Sequence, residues 1–296
     1  MSDPSRLPDF IAVGPQRTGT TWLHKVLRPH LSMPVDMKET DFFLRNYARG
    51  MKWYLSFFRT NPDAVRGEVD PNYFGAEVAR ERIAKDLPRA KIVVTLRDPT
   101  DRAYSSYRVM RRDVWTKVGV EETISRNPVI RESSRYAHHL AAWQRAFGKD
   151  RVLICFYDDL EPAPQAYLDR ITEFIGAPRI VVEGSPIASE RINAVTAAPR
   201  NPRLAARARN IRAGLSFRGL YRVGEFLERV GFWKYCFERG EEFAELDPEI
   251  DARLREHFRP EVEALEALVG RDLSAWKTGP RIASAPAPAP RSSASA

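Results

Sequence analysis

Between positions 14 and 22 the chain reads Gly14-Pro-Gln-Arg17-Thr18-Gly19-Thr20-Thr21-Trp22, preceded by the apolar run Phe10 to Val13. The run reads as a buried strand. The glycine-bounded stretch reads as a loop, and Trp22, Leu23, Val26 and Leu27 recur at helical spacing. Strand, glycine-bounded loop and helix N-terminus together form a phosphate cradle, because successive backbone N–H groups and the positive end of a helix dipole converge on one anion. The spacing is nearly that of the nucleoside-triphosphate loop G-x-x-x-x-G-K-[ST], with one departure. Thr20 stands where that loop carries its lysine, and the cation lies inside the loop at Arg17. From there it reaches less far, which suits an anion ending one group beyond a 5′-phosphate. Thr18, Thr20 and Thr21 add hydroxyl donors to the same turn.

A second pair stands further on. Arg97 follows the β-branched run Lys91 to Leu96, and Ser105 follows eight residues later. Pro99 and Asp101 mark a helix start between them. Arg97 then lies at a strand end and Ser105 in the second turn of a helix, so both can face one rim. A bland reading pairs Arg97 with Asp98 or Asp101 and leaves Ser105 to bond its own helix backbone.

The elements that must position these residues alternate. Strands are expected at Phe10–Val13, Arg66–Val69, Lys91–Leu96 and Arg151–Tyr157. Helices are expected over Glu77–Leu87, with Val78, Ile83 and Leu87 inward, over about Arg131–Phe147, with Tyr136, Leu140, Trp143 and Phe147 on one face, and over Pro162–Ile175, closed by Gly176. This order implies an α/β fold, a parallel sheet covered on both faces, with ligands at the carboxyl ends of its strands. Gly14, Arg97 and Tyr157 all lie just past strand ends. From Ile187 onward the pattern is helical. Arg200, Arg203, Arg207, Arg209 and Arg212 flank a stripe of Leu204, Ala208, Ile211 and Leu215, and residues 247–270 carry Leu254, Phe258, Val262, Leu265 and Val269. A single domain over 1–279 is expected, followed by a disordered Ala/Pro/Ser tail over 280–296.

The loop resembles the 5′-phosphosulfate loop of sulfotransferases that use 3′-phosphoadenosine 5′-phosphosulfate (PAPS), and Arg97-Asp-Pro-Thr-Asp-Arg102-Ala-Tyr-Ser105 resembles their R-D-P-x-x-R-x-x-S motif. Glu39-Thr-Asp-Phe-Phe43 followed by Gly50-Met-Lys-Trp-Tyr-Leu is similar to the heparan-sulfate-type members. The resemblance spans about 10–175. It implies a three-layer α/β/α, P-loop-containing nucleotide-binding fold with a helical C-terminal part. It implies that Arg17, Thr18, Gly19, Thr20, Thr21 and Trp22 wrap the phosphosulfate and that Arg97 and Ser105 hold the 3′-phosphate. Glu39 is implied as general base on a hydroxyl or amine acceptor, with Lys38 touching the sulfuryl group; otherwise Glu39 is a surface residue paired with Lys38 or Lys52. Asp41, Trp53 and Tyr73 are expected to line the acceptor pocket. Arg191 and Asn193 are candidates for the segment over the adenosine. Two positions depart from the family: Val69 where E-K-[ST]-x-x-Y-F carries lysine, and Val109 where some N-sulfotransferases carry histidine. His139 reads as a packed histidine rather than a catalytic one.

Composition narrows the partners without choosing one. The net charge of +8 over 296 residues favours an anionic ligand, nucleic acid or an anionic membrane face. No recognised nucleic-acid motif is present, so no nucleic acid is expected. Cys155 and Cys236 lack neighbours at metal spacing, so no metal is expected, and they read as buried thiols in a reducing compartment. No signal core and no membrane-spanning run appear, so a cytoplasmic protein is expected. The expected partner is a small-molecule or glycan acceptor. Two alternatives compete with sulfuryl transfer. One is an NTP-dependent small-molecule kinase in which Asp158 imitates a magnesium-binding aspartate. The other is a basic anion- or nucleic-acid-binding module built on the arginine-rich region.

Overall fold

A computed structural model describes residues 7–35, 37–58, 64–189, 195–217, 221–237 and 240–278. The expected tail over 280–296, like Arg191 and Asn193, lies outside the described residues. Four strands, β1 (Phe10–Ala12), β2 (Gly67–Val69), β3 (Lys91–Leu96) and β4 (Val152–Phe156), form one parallel sheet in the order β2-β1-β3-β4. Side chains alternate across it with period two. Ile11, Val13, Ile92, Val94, Leu96 and Phe156 face one core, while Phe10, Ala12, Val93 and Cys155 face the other. Both faces are therefore dry, which is why the strands read as continuous apolar runs.

On the first face pack the helices Glu77–Asp86, Tyr136–Phe147 and Pro248–Val269, which contribute Ile83, Trp143 and Leu265. On the second pack Thr20–Leu27 and Pro164–Ile175, which contribute Trp22, Leu23 and Ile171. Several expectations need correction. Val78 is 40% exposed, and Ala79 takes the inward place beside Ile83. The helix expected over Arg131–Phe147 is two helices, Pro128–Glu132 and Tyr136–Phe147; Asn127 caps the first through bonds from the amides of Val129 and Ile130. Tyr157 is not strand but opens the short helix Tyr157–Leu160. In the helix Pro202–Phe217 the buried face is Ala205 and Ala208, whereas Leu204 and Ile211 are exposed. The small side chains allow close approach of Trp233, Cys236 and Phe237.

The glycine loop is pinned to β3. A Cβ on Gly14 would lie 1.9 Å from Thr95 Oγ1 and 2.5 Å from its carbonyl oxygen. Thr18 Oγ1 bonds the Pro15 carbonyl at 2.7 Å and lies 2.7 Å from Thr95 Oγ1, with Thr18 wholly buried. Arg17 (φ 74°) and Gly19 (φ 89°) are both left-handed. For arginine that conformation costs about 1–2 kcal/mol, so the surrounding contacts must hold it.

The carboxyl end of β2 carries a second anchor. Glu68 and Asp70 are both fully buried. Glu68 accepts from the Thr40 amide at 2.7 Å and from Tyr54 OH at 2.9 Å. Asp70 accepts from the Asp41 amide at 2.9 Å and the Asn72 amide at 3.0 Å. The segment carrying Lys38 and Glu39 is thus hung from two buried carboxyl groups. Burial, above all, pushes Asp70 well up and Glu68 up to about 7, with the bonds to Glu68 from Thr40 and Tyr54 working the other way.

Two outcomes follow from these anchors. Gly14→Ala should destabilise the chain by ~3 kcal/mol or more in urea titration, and Thr95→Ala should not rescue it, because the Thr95 backbone is in the way as well. A carboxyl whose folded value is raised stabilises fully below its unfolded value of 4.5 and loses that contribution as pH rises through about 7. Replacing Glu68 by glutamine should therefore flatten the fall in stability across that window by up to ~3 kcal/mol, read from urea midpoints at successive pH values. Parallel curves for the two proteins would refute it.

Candidate active site

Arg17 is the centre of the site. The left-handed turn at Arg17 aims its guanidinium across the sheet rim, where Nε donates to Ser105 Oγ at 2.8 Å. One bond thereby joins the glycine loop to the helix Pro99–Arg112. That helix is fixed at its start by Asp98, which accepts from the Thr100 amide at 2.8 Å and pairs with buried Arg255 at 2.8 Å. Burial first, and then the like charges of Arg97, Arg112 and Arg108, lower Arg17 to about 10. Arginines 108 and 112 stand one and two turns beyond Ser105 on one helix face, a spacing the sequence analysis did not use. Four guanidinium groups thus crowd one rim, an arrangement that an incoming polyanion would relieve.

Arg97 lies over the Tyr157 ring at 4.6 Å, and its Nη2 is 3.5 Å from Asp101. The Tyr157 ring in turn sits 3.1 Å from the place of a Gly19 Cβ. Arg97 therefore stands against the glycine loop, although it carries the Asp101 contact that the bland reading foresaw. Trp22 is placed differently from expectation. Its ring is buried against Tyr167 and its Nε1 donates to the Ile187 carbonyl at 2.8 Å, so it packs the loop from behind and only its backbone can face a ligand.

Two cavities meet at this point. One, of about 450 Å³, is walled by Arg17, Thr20, Thr21, Lys38, Glu39 and Arg112, and closed by Arg212, Trp233 and Lys234 from the C-terminal helices. The other, of about 550 Å³, shares Gln16, Arg17, Pro71 and Val109 with it. Lys38 Nζ donates to Glu39 Oε1 at 2.5 Å. Asn72 Nδ2 donates to Glu39 Oε2 at 3.4 Å, and Gln16 Nε2 donates to Asn72 Oδ1 at 3.1 Å. A chain of bonds thus runs from the glycine loop to the carboxylate. Gln16 and Asn72 were not singled out in the sequence, although each adjoins a residue or motif that was.

Of the residues expected to line an acceptor pocket, none lines either cavity. Tyr73 is wholly buried, its hydroxyl shared with Glu68 and the Phe43 amide. Trp53 stacks on Phe57 and under Arg49. Asp41 pairs with Arg45 at 3.2 Å. Aromatics at helical spacing here serve the core. Val69 is buried in the second core, so that position faces no ligand. His139 is packed, its Nε2 3.0 Å from the Glu132 carbonyl, and burial lowers its pKa. Asp158 accepts from Trp276 Nε1 at 2.5 Å, a structural bond. Among the described residues no cluster of His, Cys, Asp and Glu is arranged to hold a metal, and no helix is long and apolar enough to cross a membrane. Arg209 donates to the Asp113 carbonyl and Arg212 lies over Trp233, so part of the arginine-rich helix serves internal packing.

Comparison with known proteins agrees with this geometry. The family model described as "Sulfotransferase domain" matches residues 7–198. Human bifunctional heparan sulfate N-deacetylase/N-sulfotransferase 3 is 35% identical over 195 residues, covering 58% of this chain and 22% of that protein. The mouse bifunctional enzyme 4 is 33% identical over 194 residues, covering 57% and 22%. The chain thus spans about a fifth of the length of these relatives. A sulfotransferase from Alicyclobacillus acidocaldarius superimposes with a TM-score of 0.66 at 21% identity, over 92% of this chain and 99% of that one, a likeness of fold. With its glycine loop, its arginine-crowded rim and a family match over most of its length, the chain belongs to the sulfotransferase family.

Proposed function

We propose that this protein transfers the sulfuryl group of 3′-phosphoadenosine 5′-phosphosulfate to a hydroxyl or amine of a carbohydrate or small-metabolite acceptor, and that residues up to 279 act as one catalytic unit. The observation that carries the reading is the 2.8 Å bond from Arg17 to Ser105, which joins a glycine loop at a helix start to a rim where Arg97, Arg108 and Arg112 also gather. The direct bond between Arg17 and Ser105 supports reading the loop and the Arg97–Ser105 pair as parts of one anion site. The loop amides from Thr18 to Thr21 would hold the phosphosulfate, and Arg97 with Ser105 the 3′-phosphate.

Sulfuryl transfer, like phosphoryl transfer, is an in-line displacement in which the protein mainly positions the reactants and stabilises developing charge. Arg17 and the loop amides would stabilise charge growing on the leaving 5′-phosphate. Glu39, oriented by Lys38 and Asn72, would take the proton from the acceptor, while Lys38 reaches the equatorial sulfuryl oxygens. In this reading the Lys38–Glu39 pair opens when the donor binds, because Lys38 exchanges one anion for another.

Calorimetry with 3′-phosphoadenosine 5′-phosphate (PAP) against ATP tests the donor. PAP should bind without metal and ATP only weakly, and magnesium-dependent ATP binding with no PAP binding would overturn the proposal. Arg17→Ala should lower kcat by about a hundredfold to a thousandfold, the usual effect of losing one preorganised donor. Glu39→Gln should slow transfer by about a hundredfold or more while PAP binding stays within error. Full activity of that variant across the pH range would remove Glu39 as the base.

A further inference from the structure

The cavity of about 550 Å³ beside Arg17 has two unlike ends. Its inner end, next to the donor cavity, presents Gln16 and Asn72, bonded to each other and on to Glu39. Away from that junction it is lined by Leu44, Met110, Trp115, Val129 and Ile130, with Ser106, Asn127 and Ser133 among them. Trp115 and Val129 are 60% and 67% exposed, large apolar surface kept at the mouth of a cleft. Three arginines line it, and of these Arg17 stands at the junction with the donor cavity and bonds Ser105. Arg102 is buried and donates to the Ile130 carbonyl and Ser134 Oγ, and Arg45 pairs with Asp41. Glu132 adds a negative charge to the same wall. By contrast Lys38, Arg112, Arg212 and Lys234 gather in the donor cavity.

We propose that this cavity is an acceptor subsite for a neutral molecule with an apolar body and one terminal hydroxyl, an alkyl alcohol or a phenol, rather than for an anionic sugar chain. The inference rests on the sulfuryl-transfer reading above. An anionic glycan would need cations and many hydrogen-bonding partners along its length, and this wall offers carbon. The size suits a single small molecule, and a mostly apolar pocket with a few placed polar groups is how such ligands are both held and oriented. The polar end lies toward Glu39, so an apolar body in the outer part directs its hydroxyl to the reacting groups. The acceptor oxygen then forms the new O–S bond as the S–O bond to the 5′-phosphate breaks. Its proton passes to the Glu39 carboxylate, and PAP leaves with the bond electrons. Val109, which walls both cavities, puts a methyl surface at their junction.

The test uses the full chain with radiolabelled PAPS. The acceptors are 2-naphthol, 1-decanol and an N-desulfated heparan oligosaccharide, and PAP binding is measured separately by calorimetry. The expected result is sulfation of naphthol or decanol with kcat/KM at least about a hundredfold above that for the oligosaccharide. Trp115→Ser and Val129→Asp, both at exposed positions and so compatible with folding, should raise KM for the sulfated alcohol or phenol about tenfold, with kcat and PAP affinity little changed. A preference for the oligosaccharide, no transfer to either apolar acceptor by a chain that binds PAP, or an unmoved KM in both variants would each overturn the inference. Failure to bind PAP would instead sink the sulfuryl-transfer reading, and this inference with it.

Discussion

The contact between the glycine loop and β3 is the constraint from which the site derives. Because Gly14 has no side chain, the loop can lie against the Thr95 backbone, and the Thr18 hydroxyl closes the contact. Only with the loop held there can Arg17 keep a left-handed backbone and reach Ser105. The cost of that conformation is offset by buried hydrogen bonds on either side of it. A loosened loop would release Arg17 from the other three arginines of the rim.

Charge is distributed on the same logic. Cations crowd where an anion must be gripped, and carboxyl groups are placed beneath them as supports. Glu68 and Asp70 do not face the cavities; they hold the backbone of Thr40 and Asp41, and through it the position of Glu39. Asp98 likewise caps the helix that carries Ser105 and is itself held by Arg255 from the helix Pro248–Val269. The C-terminal helices thus act on the site twice, once through this buried pair and once by laying Arg212, Trp233 and Lys234 over the cavity of about 450 Å³.

The cavity of about 550 Å³ is built differently. The segment from Trp115 to Ser133 supplies part of its wall, chiefly through the short helix Pro128–Glu132 beyond the sheet. Sheet and loop form the rim, while the wall opposite comes from elements outside the strands.

Much of the rim at the strand ends was legible in the chain itself. Strands buried on both faces must be apolar throughout, so β1, β3 and β4 stand out, and the residues just past them can only gather at one edge of a parallel sheet. Glycine at 14 and 19 and the cation at 17 are local requirements of an anion-binding turn, and local requirements are written in adjacent residues. What tertiary structure decided was direction. Trp22, Trp53 and Tyr73 are as plausible for a pocket as for a core, and only the packing of distant helices turned them inward. The same holds for Gln16 meeting Asn72, for Arg108 and Arg112 joining Arg17, and for an apolar wall assembled from residues 44 to 133. Contacts between residues far apart along the chain leave no spacing pattern, because their geometry is set by the relative placement of whole elements rather than by the period of any one of them.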